Sequence, residues 1–154
     1  MSPDVKFRHA LCRLSLFAVV ALSLVAATAR AQDEPKESPF RDFRGVSLGM
    51  LVADARAKLG TAADKSDALD LYNINDKETV QIAYDGGKVS AIVIMFMNPA
   101  DALAPRAVFG TDLEAKPDGS IYKMVRYTKA GYWVSYSRTA GDSPLVTVMI
   151  QKIK

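Results

Sequence analysis

Histidine and cysteine each occur once in the 154 residues, as His9 and Cys12, and both fall in an N-terminal stretch that reads as a secretory signal. Lys6, Arg8 and Arg13 give that stretch a basic start. The apolar run Leu14–Ala29 covers 16 residues, and Ala29-Arg30-Ala31 places small residues where a signal peptidase reads. A spanning helix needs roughly 20 residues, so the run is short for a membrane anchor. The expectation is a signal at residues 1–31, cleavage after Ala31, and a periplasmic or secreted mature chain without a stable membrane anchor. Cys12 precedes the apolar run and is not placed as a lipoprotein cysteine. The mature domain then has neither His nor Cys. That removes an imidazole base, a Ser-His-Asp triad and the usual transition-metal ligands. It also removes a thiol nucleophile, a disulfide and haem attachment.

The formal net charge of +3 belongs to the signal as well. Residues 1–31 hold four of the 20 Lys and Arg and one of the 17 Asp and Glu, which leaves 16 of each sign. A neutral domain carries no electrostatic footprint for nucleic acid. What is present, 49% hydrophobic and 24% charged residues at a length suited to one core, is the balance of a single globular domain. Carboxylate, Lys, Tyr, Ser and Arg chemistry remains, and carboxylate-pair hydrolysis needs nothing more. No such constellation stands out. Asp64, Asp67 and Asp70 lack the central Gly and terminal Glu of a Ca²⁺ loop and read as a solvated turn. Asp85-Gly86-Gly87 lacks the Gly-Lys-Ser/Thr of a phosphate loop. Ser135 and Ser137 have no Lys in an activating pattern. No catalytic residue, metal site or cofactor is expected.

Gln32–Pro39 is charged, holds two prolines and lacks apolar residues, so it reads as a tether. A single domain is expected over 40–154. Met50–Leu59 suits a short helix stopped by Gly60. Strands are expected at Leu69–Ile74, Thr79–Tyr84 and Lys88–Phe96, the last two joined by a hairpin at Asp85-Gly86-Gly87. The pattern then restarts: Asn98 suits an N-cap, Pro99 the first helical position and Asp101 the positive helix end. That helical run ends at Phe109-Gly110, with Pro105 kinking or shortening it. Strands follow at Ser120–Tyr127, Gly131–Ser137 and Leu145–Gln151.

The halves align as an internal repeat, about 40–97 and 98–154. Arg56, Ala57, Leu59, Gly60 and Thr61 match Arg106, Ala107, Phe109, Gly110 and Thr111, and Leu71-Tyr72 matches Ile121-Tyr122, all 50 residues apart. Ile82 and Tyr84 match Val134 and Tyr136 in turn. The expected fold is α+β: two tandem helix-three-strand repeats forming one antiparallel sheet, with both helices on one face.

Val46-Ser47-Leu48-Gly49-Met50, followed by Ala55, Leu59, Gly60 and Thr61, resembles the signature of the small outer-membrane-assembly lipoproteins of the SmpA/OmlA type. There a Gly-Met pair opens a short helix that closes on Leu-Gly-Thr-Pro. A tandem copy of such a unit resembles the β-lactamase-inhibitor-protein fold, in which two helix-plus-sheet repeats form one saddle-shaped sheet. The resemblance implies a fold of that kind and a protein partner. This chain departs from the signature at Leu51 and Ala62, and the mature domain lacks the lipid-bearing cysteine.

Alternation puts Val80, Ile82 and Tyr84, with Tyr132, Val134 and Tyr136, on the core side of the sheet. Ile92, Ile94, Val148 and Ile150 join them. The opposite face is expected to carry Gln81, Val93, Met95, Lys123, Trp133, Ser135 and Met149. One Trp, two Met and small hydroxyls suit a protein-binding surface. The expected function is therefore an exported, non-enzymatic module, an envelope scaffold or an inhibitor-like binder, docking an extracytoplasmic protein on that face. A small-molecule or lipid carrier with a groove between sheet and helices is the alternative, and a carboxylate-based hydrolase a third reading. An apolar cavity of several hundred Å³ would favour the carrier.

Overall fold

Two-residue alternation governs the architecture. The computed structural model describes residues 37–154; the expected signal at 1–31 and the tether residues 32–36 lie outside the described residues. Two short strands, β1 (Asp42–Phe43) and β2 (Val46–Ser47), form a separate antiparallel pair closed by Arg44 and Gly45, both at positive φ. Helix α1 (Val52–Leu59) follows. Then come β3 (Asp64–Lys65), β4 (Leu69–Asn75), β5 (Glu78–Asp85) and β6 (Lys88–Phe96). After a 3₁₀ turn at Pro99–Asp101 and helix α2 (Pro105–Phe109), the chain closes with β7 (Ile121–Tyr127), β8 (Tyr132–Arg138) and β9 (Val146–Lys152). The fold is α+β with few helices, and its main sheet runs β3-β4-β5-β6-β9-β8-β7 with every neighbouring pair antiparallel.

The inward phase of each long strand is apolar and fully covered. Val80, Ile82, Ile92, Ile94, Val134, Val148 and Ile150 share one buried cluster with Ala55 of α1 and Val108 of α2. The Gly49-Met50 pair of the helix-opening motif has a backbone task. Gly49, at positive φ, donates its N–H to Val89 O (2.8 Å), and Val89 N–H donates to Met50 O (2.8 Å). Val52 N–H, at the start of α1, donates to Gly87 O (3.2 Å). The β5–β6 hairpin thus satisfies helix-entry groups that no side chain caps. Its turn, Gly86-Gly87, has both residues at positive φ, as a tight hairpin of this hand requires.

Several expectations are corrected by the structure. The single helical run over 98–109 is split: Asn98 accepts from Ala100 N–H (3.1 Å) and caps only the 3₁₀ turn. Pro105 forces Ala104 into an extended conformation and starts α2 afresh. Ser38 and Pro39 do not belong to a tether, because Ser38 is buried. Its Oγ donates to Val108 O (2.7 Å) and its N–H to the Tyr132 hydroxyl (3.0 Å). The match of Leu71-Tyr72 to Ile121-Tyr122 fails in space, since Tyr72 is buried while Tyr122 is 65% exposed. The two outer hairpins explain it. Even-numbered β5 residues meet even-numbered β4 residues, as in Ile82↔Asp70, whereas even-numbered β8 residues meet odd-numbered β7 residues, as in Val134↔Val125.

A pair of adjacent substitutions tests the two faces. Ile92→Ala should cost about 3 kcal/mol of unfolding free energy, as a buried Ile truncation does. Val93→Ala should cost about 1 kcal/mol or less. Urea denaturation of both variants reads the difference, and equal costs would show that the faces are not distinct.

Candidate functional site

Partners directly opposite on an antiparallel ladder share a face, so register alone assembles the open side of the sheet. One continuous row crosses six strands: Leu71, Gln81, Val93, Met149, Ser135 and Met124. Beside it, Trp133 lies between Gln151 and Arg126, and on the other side Met95 pairs with Thr147 and Thr79. Gln81, Val93, Met95, Trp133, Ser135 and Met149 are therefore brought together as expected. All six are half-buried. Leu69, Met124 and Tyr122 at the two ends are exposed. A hollow of about 430 Å³ sits on this side between Leu69, Gln81, Ala83, Val93, Met149 and Lys154.

Lys123 does not join them. It faces Tyr136 across the ladder and places its ammonium 5.2 Å from the Phe109 ring centre, on the helix side. Val125 opposes buried Val134 and is likewise inward. The four-residue connection from Thr128 to Gly131 sets Tyr127 opposite Tyr132, and that odd register inverts the phase counted from Trp133. The open-face positions of β7 are Tyr122, Met124 and Arg126.

Behind the open face lies a polar cluster that composition does not announce. Asp70 is fully buried rather than part of a solvated turn. Arg56 of α1 grips both its oxygens, Nε to Oδ2 at 2.8 Å and Nη2 to Oδ1 at 2.9 Å. The hydroxyls of Tyr84 (2.7 Å) and Tyr72 (3.2 Å) donate to Oδ2, and Arg56 Nη2 also donates to Ser66 O (2.7 Å). Burial alone would push the Asp70 carboxyl up, but the Arg56 guanidinium and the Tyr84 hydroxyl outweigh it and hold the group below the usual carboxylate range. Burial, reinforced by the adjacent carboxylate, pushes the Tyr84 and Tyr72 hydroxyls up. Every oxygen here is engaged, so the cluster fastens α1 to the sheet and offers no free base. The signal that could have found it is phase: Asp70 alternates with Tyr72 on the inward side of β4.

Between the sheet and the helices, where a carrier would hold its ligand, Ile82, Ile92, Ile94 and Ile150 belong to the buried cluster. A hollow of about 370 Å³ lies to one side, between Leu48, Gly49, Tyr132 and Ile150, with Arg41 and Lys152 also lining it. Among the described residues no group of three potential metal-ligating side chains comes together, and no helix is long and apolar enough to cross a membrane. Comparison with protein-family models, with curated proteins and with solved structures finds no match for the chain.

The cluster has a pH signature. Because the Asp70 carboxyl lies below its unfolded value, its contribution to stability is complete above about pH 4 and declines as pH falls through the folded value. Asp70→Asn should remove that dependence, so its urea midpoint should fall less steeply below about pH 4 than that of the unmodified chain. Tyr84→Phe, which deletes one donor to the buried carboxylate, should cost about 2 kcal/mol at neutral pH.

Proposed function

We propose that the chain is an exported, non-enzymatic protein-binding module that docks an extracytoplasmic protein on the open face of its sheet. The observation that carries this reading is the register that gathers Val93, Met95, Trp133 and Met149 on one side of the sheet, each only half-buried. Aromatic and Met side chains between small hydroxyls are the composition of an interface core. Among the described residues, each keeps part of its surface accessible. A partner that covers it gains roughly 25 cal/mol for each Å² removed from solvent.

Export rests on the basic start, short apolar run and Ala29-Arg30-Ala31 of the N-terminal stretch. We read the two halves as copies of one unit, each a short helix closed by a glycine (Gly60 or Gly110) and then three strands. The mirrored strand orders β4-β5-β6 and β9-β8-β7 support that reading. The likeness to the SmpA/OmlA-type lipoproteins and to the β-lactamase-inhibitor-protein fold belongs with it. It rests on the stretch from Val46 to Thr61, whose Gly49-Met50 pair docks the helix start on a hairpin. An envelope scaffold and an inhibitor-like binder use the same surface.

Trp133→Ala tests the face. It should change stability by about 1 kcal/mol or less, yet weaken capture of the partner from an envelope extract by about 2 kcal/mol, roughly thirtyfold. Thermal melts and quantitative pull-down on the same variant separate the outcomes. Unchanged capture by a stable variant would move the site off this face. A loss of several kcal/mol of stability would make Trp133 a core residue.

A further inference from the structure

We propose that β7 is a docking edge for an extended, acidic polypeptide segment, which joins the sheet as an eighth strand beyond the seven present. The proposal rests on the protein-binding reading above and names how and by what chemistry a partner attaches.

Backbone direction comes first. Ile153 N–H donates to Gly131 O and Thr139 N–H to Leu145 O, each at 2.9 Å. Both bonds fall in line with the β8–β9 register, so odd-numbered residues of β8 bond to β9 and even-numbered ones to β7. Through Val134↔Val125 and Tyr136↔Lys123, the odd-numbered residues of β7 spend their backbone groups on β8. The N–H and C=O of Tyr122, Met124 and Arg126 therefore point away from the sheet, with no partner strand among the described residues.

The two edges of the sheet are treated differently. At the far edge, β3 pairs with Leu71 and Asp70, Ala63 N–H bonds Leu71 O, and a register irregularity between Asn73 and Asn75 breaks the line. Short covering strands and bulges block an edge to any partner, whereas charged side chains turn away only an edge of like charge. Among the described residues strand β7 has neither covering strand nor bulge: its seven residues pair with β8 without a register shift. A free edge of this kind is a template for strand addition.

Charge decides the occupant. Strand β7 reads IYKMVRY, with two cations, no carboxylate and neither Lys123 nor Arg126 in a salt bridge among the described residues. Two copies paired through β7 would bring four cations onto one ladder, so the edge resists a second copy. Lys123 stands on the helix side and Arg126 on the open side, next to Trp133. An incoming strand thus meets a cation on whichever face it presents its acids, and its backbone continues from the docking face.

The probe is a capped peptide of seven residues alternating Val and Glu, with a Val/Lys counterpart as control, each added at millimolar concentration to the full chain. Amide hydrogen exchange read by NMR should slow by about tenfold or more at Tyr122, Met124 and Arg126 with the Glu peptide and not with the Lys peptide. Added salt should weaken the effect. Met124→Pro should abolish it while leaving the β8 bonds intact, since that N–H points outward. Arg126→Glu, a surface change, should reduce the preference for the Glu peptide even if the proline variant does not fold. Absent protection, equal protection by both peptides, or protection at β4 instead would overturn the proposal. So would β7 amides protected in a peptide-free dimer. Trp133→Ala should leave peptide protection unchanged, so loss of partner capture in that variant reports on the face and loss of protection in Met124→Pro reports on the edge.

Discussion

The ladder between β6 and β9 is the pairing on which the rest of the sheet depends. It joins the run β3 to β6 with the run β9 to β7, and among the described residues no other strand pair does so. Parted there, each run would leave a long apolar strand, β6 or β9, as a bare edge, a template for pairing with another chain. Six facing pairs from Ala91↔Gln151 to Phe96↔Val146 set both surfaces at once. Ile92 meets Ile150 and Ile94 meets Val148 inside the core, while Val93 meets Met149 outside. A slip of one residue would exchange the two sets along the whole strand, exposing isoleucines and burying Thr147 and Met95. The buried cost of that exchange is what keeps the open face open.

The two halves fasten their helices by different means. In the first, Arg56 reaches from α1 to the buried Asp70 and stacks its guanidinium 5.5 Å from the Tyr84 ring centre. In the second, Arg106 finds Asp112 instead, and both side chains are solvent-exposed, so that pair adds little. There α2 is held by Val108 in the core and by the hydroxyl of Ser38 on its carbonyl. Matching arginines 50 residues apart therefore do unlike work, because β4 offers a buried carboxylate where β7 offers Val125 opposite Val134.

Sequence pattern reached as far as periodicity reaches. The six long strands show it best, as with Ile92, Ile94 and Phe96 in β6 and Val146, Val148 and Ile150 in β9 at every second position. Within a strand, phase is legible, which is why Trp133, Ser135, Val93 and Met149 fall together on one face. Across a hairpin, phase depends on how the turn closes, and Lys123 and Tyr122 lie beyond such a turn. The two-residue strands β1, β2 and β3 carry no period at all. Asp70 sits where composition and phase disagree: three aspartates within seven residues suggest a wet turn, while alternation with Tyr72 points inward. Burial follows phase because Arg56 and two tyrosines satisfy the charge that composition alone would leave in water.

Ser38, near the start of the described residues, is linked to the second half through Val108 at 70 residues' separation and Tyr132 at 94. Closing separations of that length costs loop entropy before any contact rewards it. The first half alone leaves Ser38 without either partner, and the second half alone leaves α2 and Tyr132 without Ser38. A nascent chain thus cannot finish its opening segment until β8 has emerged. Contacts of such span raise the contact order of the fold and so slow its formation, and both halves must be in place before the opening segment is complete.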